Sequence, residues 1–402
     1  MNPLSLLSRP LTELLALPLT EQFPGLRAGS ARFDGPGGTL MHVAVRDAIT
    51  AYLSSEHVAN DHGAFPASQY STRVAEWAAD RFRALIGADA GEVVFGANMT
   101  TLTSTFLQGL AEHVGPGDEL VVTELDHEAN VAPWRALAAA RGATVRVARM
   151  AQDGTLPVEA VTEQLSARTR WVAVTAASNA LGATPDLPAI SAAAHAVGAR
   201  VYVDGVQIVA HRPVEVAAWG CDAFVTSPYK WYGPHCGALW LSDGVAGEVR
   251  VPGQVPSAGD EPGERLSLGT TNFEAVLGTG VAAEVLLGWD RKECAEREAG
   301  LTALLVEGLA ADARVTLLGP AGGAERAGVV TFQVAGHSAE AVADHLARSG
   351  VSVWHGTFYA SSAMRAVSPG EPDAVRAGIS HYTTRDDVAQ LVDAVAGLIV
   401  FV

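Results

Sequence analysis

Between residues 93 and 242, short runs of β-forming residues alternate with helical patterns, and this alternation restricts the fold more than any other feature of the sequence. The helical stretches are amphipathic and rich in Ala and Leu, as in Pro185–Val197. Such a rhythm predicts an α/β domain with a mostly parallel sheet covered on both faces. The predicted strands are Val93–Phe95, Glu119–Leu125, Thr144–Met150, Trp171–Ala176, Arg200–Asp204, Ala223–Thr226 and Ala238–Leu241.

A second pattern begins after a long helical stretch that runs from Glu274 to about Ala310. Its order of strand, helix, strand, strand and helix is typical of a small α+β unit. We therefore predict a large domain at residues 31–285 and a smaller C-terminal domain at residues 286–402. The segments of the small domain are Val329–Val334, Ser338–Ala347, Val351–Trp354, Ile379–Tyr382 and Asp386–Leu398.

The leucine-rich start, residues 1–30, is interpreted as an N-terminal arm that packs on a partner or in a groove. It lacks a basic n-region, and Pro10, Glu13 and Pro18 interrupt its apolar run, which disfavours a secretory signal peptide. No stretch approaches the ~20 apolar residues that a membrane helix needs, so no membrane span is predicted.

Charge and cysteine content exclude further classes of protein. Lys and Arg number 27 against 44 Asp and Glu, a net charge of −17, and no basic run exists. Nucleic-acid binding is disfavoured because phosphate neutralisation needs clustered Lys and Arg. Cys221, Cys236 and Cys294 show no metal-ligand spacing, so we predict no metal site and a reducing, cytoplasmic location.

Two residues at the ends of neighbouring predicted strands suggest a pyridoxal 5'-phosphate (PLP) site. Asp204 ends one strand, and Lys230 follows the next. Ligands of open α/β sheets bind at the carboxyl ends of the strands. There an Asp can pair with the protonated pyridine nitrogen, and a Lys can carry the cofactor covalently. On spacing alone, a plain strand-end Asp and a surface Lys remain the alternative.

Three other strand ends carry residues that suit the same cofactor. His127 can stack on a flat heteroaromatic ring, and Asn179 can donate to a phenolate oxygen. The segment Gly96–Thr101 opens a helix whose N–H groups and Thr hydroxyls can bind phosphate. A loop His, a turn Asn and an ordinary helix cap are the alternatives. The segment lacks the GxGxxG glycines of a nicotinamide site, which disfavours a Rossmann-type reductase.

Taken together, these segments resemble the class V aminotransferase family of fold-type I PLP enzymes, and most of all its cysteine desulfurase-like branch. The resemblance covers nearly the whole chain. The segments that carry it are Phe33–Gly38, Asp126–Trp134, Ser178–Gly182, Val203–Gln207, Ser227–Lys230 with Gly233–Pro234, and Tyr382–Thr384.

The resemblance implies a role for each matching residue. Lys230, Asp204 and His127 would be catalytic, with Lys230 bonded to PLP, Asp204 on the pyridine nitrogen and His127 on the ring. Asn179 and Gln207 would address the phenolate side, while Thr100, Ser227 and the backbone near Met99 would bind the phosphate. Tyr229 stands in place of a histidine of the family. Thr270 matches a segment that reaches the neighbouring subunit's phosphate, so a homodimer is implied.

Residues for the amino-acid substrate come from the C-terminal part of the chain and from the segment after Lys230. Arg376 matches the arginine that grips the α-carboxylate, a task suited to a bidentate guanidinium. His355, Tyr359 and His235 are predicted around the substrate side chain, with ordinary packing or surface positions as the alternative.

One departure from the desulfurases affects the predicted reaction. They carry a nucleophilic Cys on a small-domain loop, and the matching segment, 353–361, contains none. Cys236 follows Lys230 by six residues and is interpreted as a packing residue. We therefore predict a C–S lyase that acts by β-elimination. An aminotransferase or amino-acid epimerase is the alternative, and a non-catalytic PLP-binding protein is a weaker one.

Overall fold

The computed structural model describes residues 3–251, 265–266, 268–321 and 326–398, so positions 1–2 and 399–402 of the predicted arm and small domain lie outside it. Within these residues there are sixteen α-helices and thirteen strands. The helices are α1 (Leu11–Leu15), α2 (Leu19–Gln22), α3 (Val43–Leu53), α4 (Pro66–Leu85), α5 (Met99–Leu110), α6 (Ala132–Arg141), α7 (Val158–Thr162), α8 (Leu187–Ala196), α9 (Ile208–His211), α10 (Val216–Trp219), α11 (Asp243–Ala246), α12 (Phe273–Gly288), α13 (Arg291–Ala310), α14 (Ala339–Arg348), α15 (Ser361–Val367) and α16 (Arg385–Ala396). The strands are β1 (Ala31–Arg32), β2 (Glu92–Gly96), β3 (Glu119–Thr123), β4 (Thr144–Ala148), β5 (Thr169–Thr175), β6 (Arg200–Asp204), β7 (Ala223–Thr226), β8 (Gly237–Leu241), β9 (Val315–Leu318), β10 (Val329–Val334), β11 (Val351–Ser352), β12 (Trp354–Gly356) and β13 (Ala374–Gly378). Short 3-10 helices lie at Pro3–Leu6, Gly35–Gly37, Ala111–His113, Glu128–Asn130 and Pro228–Lys230.

A seven-stranded sheet forms the centre of the large domain, in the order β2-β8-β7-β6-β5-β3-β4. Among the strands described in it, β8 alone runs antiparallel to its neighbours. Every residue of β3 and β7 is buried, as expected for strands covered by helices on both faces. The predicted bounds of β6 and β7 match those observed. The carboxyl ends of β2, β3, β5, β6 and β7 therefore share one edge.

The small domain contains a four-stranded antiparallel sheet, in the order β12-β13-β10-β9. The predicted strand at Ile379–Tyr382 is wrong. The strand is β13, and after it the chain turns, with the Thr383 amide donating to the Ser380 oxygen (2.9 Å). β13 must occupy 374–378 because it pairs with both β10 and β12, and this pairing carries Arg376 into the sheet.

The helical stretch predicted from Glu274 to Ala310 is broken into α12 and α13. Trp289 is extended (φ −90°, ψ 148°), and Asp290 caps α13 by accepting from the Lys292 and Glu293 amides, both at 3.0 Å. The Trp289 ring stacks on His381 at 3.6 Å, which fixes the bend. Helix α12 packs in the large-domain core, whereas α13 contributes Leu301, Leu305 and Leu309 to the small-domain core.

The N-terminal segment contacts both domains. Leu14 and Phe23 of the predicted arm are buried in the large-domain core of this same chain. β1 pairs in parallel with β11, and Phe33 lies in the small-domain core, so residues 31–33 pack with the C-terminal unit. A search of the described helices finds none with the length and apolarity to cross a membrane.

Candidate active site

A cleft opens at the sheet edge where five parallel strands end. The segments that follow β2, β3, β5, β6 and β7 meet there and contribute most of its wall. The cleft is lined by Met99, Thr100, His127, Thr175, Ala177, Asn179, Asp204, Val206, Gln207, Ser227, Tyr229 and Lys230. The structure thus brings together all the predicted cofactor residues except Thr270.

Asp204 is the last residue of β6 and is only 4 % exposed. Its Oδ1 accepts from the Val206 amide (2.9 Å), which orients the carboxyl group. Burial raises the pKa of Asp204 to about 6, although the Val206 bond and nearby Lys230 oppose the shift. A cation placed against this carboxyl would relieve the cost of its buried charge.

Asp126 lies near Asp204, in the segment after β3, and sequence reasoning gave it no role. It accepts hydrogen bonds from the Thr123 hydroxyl and from Asn130 Nδ2. Burial, together with the charge of Asp204, raises the pKa of Asp126 to about 8. A neutral Asp126 removes one negative charge from the neighbourhood of Asp204. The sequence signal that could have identified Asp126 is its position directly before His127, in the segment Asp126–Trp134 that carries the family resemblance.

Lys230 ends the 3-10 turn that follows β7. Burial and the positive charge of Arg376 lower its pKa to about 8, and the carboxylate of Asp204 partly offsets them. A substantial fraction of the ε-amine is therefore neutral near pH 7 to 8, as a nucleophile or a base requires.

His127 begins the 3-10 turn at Glu128–Asn130. Its Nδ1 accepts from the Ala129 amide (3.0 Å), so in the neutral ring the proton is on Nε2. Burial and the charge of Lys230 lower the pKa of His127 to about 4. The imidazole is therefore neutral at physiological pH, which suits stacking on a flat ring.

The start of α5 forms one end of the cleft. Asn98 caps this helix by accepting from the Thr101 amide (2.9 Å), and the Met99 amide donates to Ser227 Oγ (3.0 Å). Thr100 lines the cleft beside them. N–H groups at a helix start, with hydroxyls next to them, form a binding site for an anion such as phosphate.

Asn179 and Gln207 lie on the remaining walls. Gln207 Nε2 donates to the Pro36 oxygen (2.9 Å), which leaves its side-chain oxygen available. Asn179 Nδ2 donates to the Phe358 oxygen (2.7 Å), and its buried Oδ1 has no hydrogen-bond partner. A buried amide group with an unused atom is expected where a polar ligand binds.

Arg376, in the middle of β13, approaches Asn179 from the small domain. It is 5 % exposed, its Nη1 donates to the Asn179 backbone oxygen (2.8 Å), and its Nε has no partner. Burial lowers the pKa of Arg376 to about 9, and no described carboxylate offsets that cost. The guanidinium thus has unused donors and an uncompensated charge, the conditions under which an anion binds well.

The other predicted residues are not among those that line the cleft. Tyr359 is 73 % exposed, with its ring centroid 5.6 Å from that of His127. His235 is exposed and stacks on Tyr229 at 4.8 Å, on the outer side of a lining residue. His355 lines another cleft with Glu340 and Asp373, because side chains alternate along β12. Thr270 is exposed and is not part of this chain's cleft.

The cysteines are all free thiols, and none lines the cleft. Burial raises the pKa of Cys236 to about 11 and also raises that of Cys221. Cys294 lies on α13 with its Sγ 3.7 Å from His381 Nδ1. In the segment 353–361, Phe358 and Tyr359 both adopt left-handed backbone conformations (φ 58° and 55°).

The donor set fits PLP. One end of the cleft can bind a phosphate, a buried carboxyl can pair with a ring cation, a neutral imidazole can cover the ring, and a lysine with a lowered pKa can bond to an aldehyde. The described residues contain no cluster of His, Cys, Asp or Glu that could hold a metal ion.

Comparisons with known proteins identify the family of the chain. The sequence profile of the family described as aminotransferase class-V matches residues 32–391. A cysteine desulfurase of Pectobacterium atrosepticum is 33 % identical over 365 residues, covering 87 % of this chain and 88 % of that protein. A cysteine desulfurase of Pectobacterium carotovorum is 34 % identical over 356 residues, covering 85 % and 86 %.

Solved structures share the fold along nearly the whole chain. A cysteine desulfurase from Escherichia coli superposes with a TM-score of 0.85 at 25 % identity, covering 95 % of this chain and 98 % of that one. The apo cysteine desulfurase of Thermococcus onnurineus gives 0.88 at 25 % identity, covering 94 % and 98 %. The predicted α/β architecture with its smaller second unit is thereby confirmed.

Proposed function

Because the chain belongs to the class V aminotransferase family, we propose that it is a PLP-dependent, cysteine desulfurase-like C–S lyase that acts on an amino acid. The observation that carries the proposal is a half-buried lysine, Lys230, within electrostatic range of both a buried carboxyl, Asp204, and a buried guanidinium, Arg376. These are the groups that a PLP enzyme needs for its cofactor and for the substrate carboxylate.

Each wall of the cleft would hold one part of the cofactor. Thr100, Ser227 and the amides at the start of α5 would bind the phosphate, and Asp204 the pyridine nitrogen. His127 would cover the ring, while Asn179 and Gln207 would address the phenolate side through the second N–H of each amide, since the first donates to the Phe358 and Pro36 oxygens. When bound, PLP withdraws electrons from the substrate's α-carbon, so that the α-proton can leave and a substituent on Cβ can depart.

The chain's own groups would supply the proton transfers and the orientation. Lys230 would remove the α-proton, because a pKa of about 8 leaves much of its amine neutral and still basic. Asp204, charged above pH 6 or so, would keep the ring nitrogen protonated. Arg376 would hold the α-carboxylate through its unused N–H groups.

The thiols support release of sulfur with its substituent rather than transfer to the enzyme. A sulfur shuttle needs an exposed thiolate of low pKa on a mobile segment. Cys236 is buried with a raised pKa, and the segment 353–361 contains no cysteine. In β-elimination the C–S bond breaks, the thiol leaves with the electron pair and a proton, and pyruvate and ammonia remain after hydrolysis.

The working unit in this proposal is a cytoplasmic homodimer. Thr270 is exposed and away from its own cleft, so it is free to approach the phosphate site of a second copy. Exposed apolar residues, such as Leu53, Phe65 and Leu268, supply surface for such a contact. The three free thiols suit a reducing compartment.

Product analysis over a panel of cysteine S-conjugates, cysteine and common amino acids tests the reaction. Pyruvate, ammonia and free thiol from a conjugate, with Cys236→Ala equally active, are expected. Keto acid formed together with an aminated cofactor would identify an aminotransferase, and racemised amino acid an epimerase. Loss of sulfur release in Cys236→Ala with PLP still bound would indicate a desulfurase with a relocated nucleophile.

A further inference from the structure

Arg376, Asn179 and Phe358 contact one another in a closed cycle. Arg376 Nη1 donates to the Asn179 backbone oxygen (2.8 Å), and Asn179 Nδ2 donates to the Phe358 oxygen (2.7 Å). The Phe358 ring completes the cycle, with its centroid 4.5 Å from the guanidinium carbon. We propose that Phe358 is a positioning residue that holds Arg376 for the amino-acid carboxylate, an inference that rests on the function proposed above.

The backbone at Phe358 is held in an unfavourable conformation. Phe358 and Tyr359 have φ values of 58° and 55°, a region that bulky residues rarely occupy. Two contacts from the large domain hold this turn: Asn179 Nδ2 on the Phe358 oxygen, and the Glu128 amide on the Tyr359 oxygen (2.7 Å). The turn therefore connects the segments after β3 and β5 with the small domain.

The Phe358 ring can stabilise the buried charge of Arg376, which no carboxylate in the described residues offsets. Arg376 is buried and positively charged, and the one hydrogen bond described for its guanidinium goes to a neutral carbonyl. An aromatic face attracts a guanidinium and, by covering one side of it, excludes water. A carboxylate binds a guanidinium through its N–H groups, whereas the ring interacts through its π-face and takes none of those donors, so Nε remains without a hydrogen-bond partner.

Ring-free and ring-bearing replacements separate this role from a structural one. Phe358→Leu and Phe358→Tyr carry the same left-handed backbone cost, but only Tyr keeps an aromatic face. Calorimetric titration of the PLP-loaded protein with 2-methylalanine, which has no α-proton, measures carboxylate binding without turnover. We expect Phe358→Leu to weaken binding about tenfold and Phe358→Tyr to change it less than about twofold.

Phe332→Leu is the matched control, because it makes the same change in a buried ring of β10 that packs in the small-domain core. It should leave the affinity for 2-methylalanine unchanged. Titration with tert-butylamine, in which a methyl group replaces the carboxylate, should not distinguish Phe358→Leu from the wild type. The positioning role would be refuted if Phe358→Leu weakened the binding of both ligands equally. It would also be refuted if Phe332→Leu weakened the binding of 2-methylalanine as much as Phe358→Leu does.

A double-mutant cycle gives a second readout. If Phe358 acts through Arg376, Phe358→Leu should reduce kcat/KM by less than about twofold once Arg376→Ala is present. A full loss in that background would overturn the inference, and Phe358→Met replaces Leu if the first variant does not fold. A wild-type protein that binds neither PLP nor 2-methylalanine would contradict the proposed function itself, whereas normal binding with an unaffected Phe358→Leu contradicts only this inference.

Discussion

Burial of the Asp204 carboxyl group lowers the stability of the PLP-free protein at neutral pH. Its pKa rises from 3.8 to about 6 on folding, mainly because the carboxyl group is buried. The folded state therefore binds the proton more tightly than the unfolded state does. Stability is lost as pH rises from about 4 to about 6, and the full penalty remains above that range.

We predict that Asp204→Asn stabilises the PLP-free protein near pH 7, by up to about 3 kcal/mol, and has little effect near pH 4. Thermal unfolding at both pH values measures this. With PLP bound, the order should reverse, since the variant loses its partner for the ring nitrogen. A PLP-free variant less stable than the wild type at pH 7 would contradict the sign of the shift.

The predicted site residues that the structure brings to one cleft are those that follow strands in recognisable motifs. Asp204 ends an apolar strand, and Lys230, His127 and Asn179 each follow one within a few residues, so the parallel topology alone brings them to one edge. Phe358 carries no such pattern, because its role depends on a turn held by contacts from another domain. His355 lines a different cleft, and the sequence could not show this because the face of an edge strand cannot be known before its pairing is known.

At the scale of elements, strands buried on both faces were predicted well, and the helix break and β13 were not. The bounds of β6 and β7 follow from their short apolar runs. In contrast, residues 374–382 contain two apolar stretches, and only pairing with β10 and β12 selects the first. The break at Trp289 depends on a stack with His381, about ninety positions away.

The same break gives a prediction for α13. Asp290 accepts from two amides at the start of that helix, so Asp290→Ala should lower the free energy of unfolding by about 1 kcal/mol. Asp290→Asn keeps an accepting oxygen and serves as the control. Denaturant unfolding of both variants provides the comparison, and equal losses for Ala and Asn would show that the charge matters rather than the cap.

At the scale of the whole molecule, the sequence does not decide what the N-terminal arm, residues 1–30, packs against. Its apolar residues fit a partner surface or a groove, and the structure places Leu14 and Phe23 in the large-domain core of the same chain. The dimer proposal therefore rests on Thr270 and on exposed apolar side chains, and not on the arm.

Subunit mixing tests whether Thr270 acts across the dimer. Lys230→Ala and Thr270→Glu should each be inactive alone. If Thr270 serves the partner's cleft, a mixed dimer has one site with both native residues, and about a quarter of the wild-type activity should return. No recovery after subunit exchange, or a monomer in sedimentation that is fully active, would contradict the proposal.

The central claim is that Lys230 bonds covalently to PLP, and the chain offers an unusually direct measurement. Lys230 and Lys292 are its two lysines, and Lys292 is exposed on α13 near Glu296. Borohydride reduction of the PLP-loaded protein, followed by peptide mapping, locates the attachment. We predict the pyridoxyl group on Lys230, with Lys292→Arg labelled equally well; a label on Lys292, or none on either lysine, would contradict the account.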